Sequence, residues 1–107
     1  MLSTVGYQFT FTVAGNGDTI TFPSIGGYFS LQVVGTDAVA TAWNVVFEGG
    51  NDNVNFDTIL THTDITGNGK MVFAGTQKTP CKYFRVRCVS VTLGGATNII
   101  AYVAGTQ

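Results

Sequence analysis

The chain has 107 residues, enough for one domain with a modest core and too few for a second. Charged residues make up only 10% of it, against roughly 25% in an average soluble domain, while 45% are hydrophobic and 14 are Gly. Five basic and six acidic residues leave a net charge of -1, so no long-range field gathers phosphate or anionic lipid, and neither nucleic acid nor a membrane is expected as a partner. No apolar run approaches the ~20 residues that a membrane-spanning helix needs. Residues 1–6 carry no positive charge and no apolar core of a signal peptide, so the expectation is a protein made in a cytoplasm.

The first segment alternates: Val5, Tyr7, Phe9, Phe11 and Val13 point one way, and Gly6, Gln8, Thr10 and Thr12 the other. That period of two predicts a half-buried strand over 5–13. Ala14-Gly15-Asn16-Gly17-Asp18 reads as a tight turn, and 19–22 as a returning strand stopped by Pro23, which together predict a β-hairpin. Residues 28–34 are rich in aromatic and β-branched types and predict the next strand, followed by a loop of small residues at 35–42.

Trp43, Val45 and Phe47 share one face of a strand over 43–48. The cluster Gly49-Gly50-Asn51-Asp52-Asn53 turns the chain, and 54–63 returns as the second arm of another hairpin. A loop at 64–70, a short strand at 71–74 and a loop at 75–80 follow. The longest strand spans 81–91, with Phe84, Val86 and Cys88 opposite Tyr83, Arg85, Arg87 and Val89. Leu93-Gly94-Gly95-Ala96-Thr97 turns into a last strand at 98–104. The fold class is therefore all-β, an antiparallel β-sandwich or jelly roll of about eight strands, forming a single domain over 1–107 with no internal repeat.

Catalysis needs acid, base or nucleophile side chains held together, and the single His of the chain, in Thr61-His62-Thr63-Asp64, has no carboxylate pattern beside it. No catalytic, cofactor or metal residues are assigned, and the chain is not expected to be an enzyme. His62 read as a ligand around an oligomer axis is weighed against an ordinary surface or inter-strand His, which is the favoured reading. The string Asn51, Asp52, Asn53, Asn55 and Asp57 places oxygens at alternate positions, as calcium sites do, but it lacks the acid count of an EF-hand loop and reads as a turn. Gly67-Asn68-Gly69-Lys70 has the wrong spacing for a phosphate loop. Arg85 and Arg87 share a face with Tyr83, an aromatic and guanidinium strip that could stack on a sugar or base and is better suited to protein contact, while the favoured reading leaves the arginines on a solvent or partner face, where they discourage edge aggregation and bridge to Asp residues; Lys82 would project oppositely. Cys81 and Cys88, seven apart on one straight strand, would lie about 23 Å apart and cannot pair, which fits free thiols in a reducing compartment.

The block from Trp43 through Glu48-Gly-Gly-Asn-Asp52 to Phe56, with Thr58-Ile59-Leu60 and then Tyr83-Phe84-Arg85-Val86-Arg87, resembles a hairpin-plus-strand pattern of discoidin-like β-sandwiches and of small bacteriophage virion proteins. Tyr28-Phe29-Ser30-Leu31-Gln32-Val33 and Leu93-Gly94-Gly95-Ala96-Thr97-Asn98 are similar to the second group, so the resemblance covers 28–107. Gly50 and Asn53 stand where the pattern has Ser and Gly around the Asp, which weakens any inherited sugar or calcium site. The resemblance implies a virion accessory protein: a capsid decoration (cement) protein bound to the major capsid protein, or a neck or tail component. Such a protein is a homo-oligomer, dimer or trimer, located in the virion. The contact candidates are Tyr7, Phe9 and Phe11 in the segment 1–13, which is weighed equally against a plain edge strand, together with Tyr83, Arg85 and Arg87. The rival is a carbohydrate-binding module with Trp43, Tyr83, Arg85 or Arg87 as sugar-facing groups, for which an exposed Trp43 would speak, whereas a Trp43 buried with Phe47 would remove its best platform.

Overall fold

Period-two alternation becomes strand wherever one set of side chains can be covered by a second sheet. In the computed structural model, which describes residues 4–20, 28–64, 71–73 and 81–106, this gives β1 (Thr4–Phe11), β2 (Gly15–Asn16), β3 (Tyr28–Gly35), β4 (Ala42–Gly50), β5 (Asp57–Asp64), β6 (Met71–Phe73), β7 (Tyr83–Thr92) and β8 (Ile99–Thr106). The chain is all-β, in two antiparallel sheets ordered β1-β8-β3-β6 and β2-β7-β4-β5. No helix among the described residues is long and apolar enough to cross a membrane.

The pairing has a simple rule: β1 with β8, β2 with β7, β3 with β6 and β4 with β5. The chain is one long antiparallel ribbon folded back at the turn after β4. The ribbon is rolled so that successive pairs fall in opposite sheets, and the pairings β3 to β8 and β4 to β7 join two such pairs into each four-stranded sheet. This is the jelly-roll topology.

The rolled ribbon corrects the first predicted hairpin. Residues 15–16, read as the tip of a turn, form β2 along Cys88 and Arg87 of β7, and the chain passes from one sheet to the other instead of doubling back. Ile20 continues that edge through a bridge to Phe84, with paired backbone hydrogen bonds of 2.7 and 2.9 Å. β1 finds its partner at the far end of the chain, from Thr4 opposite Thr106 to Phe11 opposite Ile99. The second predicted hairpin is present as β4 and β5, with a bulge between Phe47 and Glu48. Asp64, expected to open a loop at 64–70, ends β5 instead; the rest of that loop, the loop expected at 75–80 and the end of the strand expected at 19–22 lie outside the described residues.

The core lies between the sheets. Phe29 of β3 meets Phe47 of β4 at 5.0 Å and Phe84 of β7 at 4.9 Å between ring centroids, while Phe47 and Phe84 stack at 5.5 Å. Leu31, Val33, Val45, Val86, Ile99, Ala101 and Val103 complete the inward-facing set. Trp43 is only 1% exposed, with His62 edge-on to its ring at 4.5 Å.

Candidate functional site

Two surfaces remain once the inward side chains are assigned, one on the outside of each sheet. On the β2-β7-β4-β5 sheet, Phe84, Val86 and Cys88 turn inward, so Tyr83, Arg85 and Arg87 face out, as the alternation predicts. Glu48 stands opposite Arg85 in register and Val46 opposite Arg87. The Glu48 carboxylate accepts from Arg85 Nε at 2.8 Å and from Arg87 Nε at 3.3 Å, and the residue is only 4% exposed. The Arg85 guanidinium also lies over the Phe56 ring, 4.1 Å from its centroid. The pairing is therefore with Glu48 and not with the Asp residues expected from sequence. β7 is an interior strand, so these arginines do not guard an edge. Lys82, expected on the other side, places its Nζ 5.5 Å from the centroid of the Tyr83 ring.

The outside of the β1-β8-β3-β6 sheet has a different chemistry. Because Phe29, Leu31, Val33, Ala101 and Val103 point inward, Ser30, Gln32, Val34, Ile100, Tyr102 and Ala104 point outward, and Gly6, Gln8 and Thr10 join them from β1. None of these is charged. Gly6, Ala104 and Ser30 are register neighbours across three strands and form a furrow; Gln8, Tyr102 and Gln32 are the next such row and form a ridge beside it. A trough of about 310 Å³ follows these two rows. Sequence reasoning did not single out this face. The available signal was the absence of any Asp, Glu, Lys or Arg from β1, β3 and β8.

The other contact candidates lie elsewhere. Phe11 is buried in the core, and Tyr7 and Phe9 are half-buried against it, so these three rings face the opposite sheet and are not the outer surface of β1. The alternative of a plain edge strand matches the position of β1 in its sheet.

The remaining chemical readings resolve locally. Asp52 Oδ1 accepts the backbone N–H of Val54 at 2.9 Å and of Asn55 at 2.8 Å, and Oδ2 accepts Asn55 Nδ2 at 2.7 Å. These bonds, Asn55 first, hold the Asp52 carboxyl down at about 2. Its oxygens are engaged by its own turn, and Asn53 takes the left-handed conformation, φ 61°, that the related pattern gives to Gly. Gly50 is needed because a Cβ there would run into the Asn55 carbonyl oxygen. His62 is buried on Trp43 and is no surface residue, and the described residues hold no group of three or more His, Cys, Asp or Glu placed to bind a metal. Both cysteines are free, and burial pushes their thiols up, with the charge of Asp57 adding to the effect at Cys81, so both favour the protonated, weakly nucleophilic form.

No family model matches the chain, and no curated protein matches it in sequence. Its fold has counterparts among solved structures. The crystal structure of YomS, a protein derived from the SPBc2 prophage, superposes with a TM-score of 0.70 over 100% of this chain and 96% of that one, at 11% identity. The chain shares the fold of YomS along its whole length. PirA aligns at a TM-score of 0.47 and 8% identity over 95% of this chain and 93% of that one, a level from which nothing is drawn.

Proposed function

We propose that this chain is a non-enzymatic structural protein of a bacteriophage virion, a capsid decoration protein that binds across neighbouring shell subunits. The observation that carries the reading is the end-to-end likeness to the prophage-derived YomS. The surface supports it: a jelly roll with one outer face free of charge suits a protein held against neighbours, since interface cores are depleted of charged residues. A cement protein acts by mass action. It binds the assembled shell and not the separated subunits, so each occupied site raises the free energy of opening.

The residues offer little for catalysis. The only Glu and the only His of the chain, Glu48 and His62, point to opposite faces of one sheet, and Glu48 is already held by two guanidinium groups. The carbohydrate-binding alternative loses Trp43, which is buried beside Phe47 in the core.

The test is immunogold labelling of purified virions of the encoding phage, with thermal release of DNA from particles carrying and lacking the protein. Gold on the head and earlier DNA release without the protein are expected. Gold on the neck or tail would keep a virion role but overturn decoration, and absence from the particle would overturn both.

A further inference from the structure

We infer that the uncharged outer face of the β1-β8-β3-β6 sheet is a two-fold interface between two copies of this chain, with the ridge of each copy seated in the furrow of the other. The occupant follows from geometry. The ridge row Gln8, Tyr102, Gln32 and the furrow row Gly6, Ala104, Ser30 run side by side across the strands, one residue pair apart. A two-fold axis lying in the interface between these rows, along their direction, carries each ridge over the opposing furrow. It sets Tyr102 of one copy over Ala104 of the other, and Gln8 over Gly6. Gln32 then meets Ser30, whose hydroxyl can both donate to and accept from an amide.

Charge also favours a second copy. In an isologous contact a patch meets itself, so any charge near the axis faces its own like charge. The face with Arg85 and Arg87 suffers that repulsion, whereas the face with Tyr102 brings no ion to desolvate. Tyr102 is 38% exposed in the single chain, which leaves an aromatic side chain available as an anchor.

The area sets the strength. Three strands of eight residues and one of three, at about 4.8 Å spacing and about 3.4 Å rise, give about 450 Å² per copy, or about 900 Å² in total, the size of a weak, transient interface. The association is therefore expected to be weak and concentration-dependent. It does not depend on the virion reading and can stand or fall separately.

Sedimentation equilibrium of the full chain from micromolar to millimolar concentration tests it. The mass should rise toward twice the 11.3 kDa of the chain. Tyr102→Ala should weaken the dimer at least about tenfold, since 1.4 kcal/mol of lost contact is tenfold in affinity. Ala104→Glu, which fills the furrow and sets two carboxylates across the axis, should abolish it. Val89→Lys, on the other sheet, should leave the dimer unchanged, and circular dichroism melts verify that each variant is folded. A wild-type monomer at millimolar concentration, a trimer, or a dimer indifferent to Ala104→Glu would overturn the inference. Should Ala104→Glu not fold, Tyr102→Ala with an unchanged dissociation constant overturns it equally.

Discussion

The two outer faces of this jelly roll share a core but use opposite chemistry. One sheet carries a buried carboxylate between two arginines, with Phe56 beneath one of them; the other has no charge on any described outward side chain of β1, β3 and β8. The charged face is satisfied within the chain, because each arginine Nε spends its hydrogen bond on Glu48. The neutral face carries hydroxyl and amide side chains and no ion on β1, β3 and β8. A charge network of this kind stabilises its own sheet and specifies its register, while an uncharged ridge and furrow is cheap to desolvate.

Removing what the two faces share has the largest effect. Phe47→Ala takes a ring from the cluster that joins Phe29 of one sheet to Phe84 of the other, and should cost about 3–5 kcal/mol in urea unfolding. Loss of both sheets in one transition is expected, and separate transitions would mean that the sheets do not depend on one core.

A substitution confined to the charged face comes next. Glu48→Ala leaves Arg85 and Arg87 without their acceptor beside a buried Val46. Both arginines are partly exposed, so the cost should be about 1–2 kcal/mol, below that of breaking a fully buried pair. The penalty should shrink in high salt, and the dimer dissociation constant should stay unchanged. A loss of association on Glu48→Ala would erase the division of labour between the faces.

The loop that joins β7 to β8, and so one sheet to the other, is held by backbone geometry. Gly94 has φ +60°, and a Cβ there would collide with the Thr41 hydroxyl. Gly94→Ala should cost about 1–2 kcal/mol in thermal or chemical unfolding. The smallest effect belongs to Asp52. Its folded carboxyl sits at about 2, below the ordinary 3.8, so its contribution is complete above pH 3.8 and is lost as pH falls through about 2. An NMR titration of Asp52 and the flattening of the acid-stability slope in Asp52→Asn check the sign.

Much of this was legible in the residues. The alternation of 43–48 and 81–91 correctly puts Trp43, Val45 and Phe47 on one face and separates Phe84, Val86 and Cys88 from Arg85 and Arg87, because a strand side chain has only two directions to point. The turn at Asn51 to Asn53 was readable for a similar reason: Asp and Asn beside Gly bond their own backbone in any context. The interface strip was half legible. Tyr83, Arg85 and Arg87 do lie on one face, but the Glu that claims the arginines sits 37 residues before Arg85, at a distance no local pattern spans. Tyr7, Phe9 and Phe11 are contact candidates because 1–13 lies outside the resemblance and alternates strongly, and alternation says that they share a side and not which side the second sheet will cover.

By itself the sequence determined the all-β character, the position of most strands, the two faces of β4 and β7, and the neutrality of β1, β3 and β8. Only the tertiary structure decided that residues 15–16 edge the second sheet, that Thr4 meets Thr106, that Glu48 holds both arginines, and that a furrow of Gly6, Ala104 and Ser30 lies beside a ridge of Gln8, Tyr102 and Gln32. The physical reason is that alternation is a property of each strand alone, whereas pairing in a rolled ribbon is chosen by the burial of all strands together. The partners it selects lie at opposite ends of the chain.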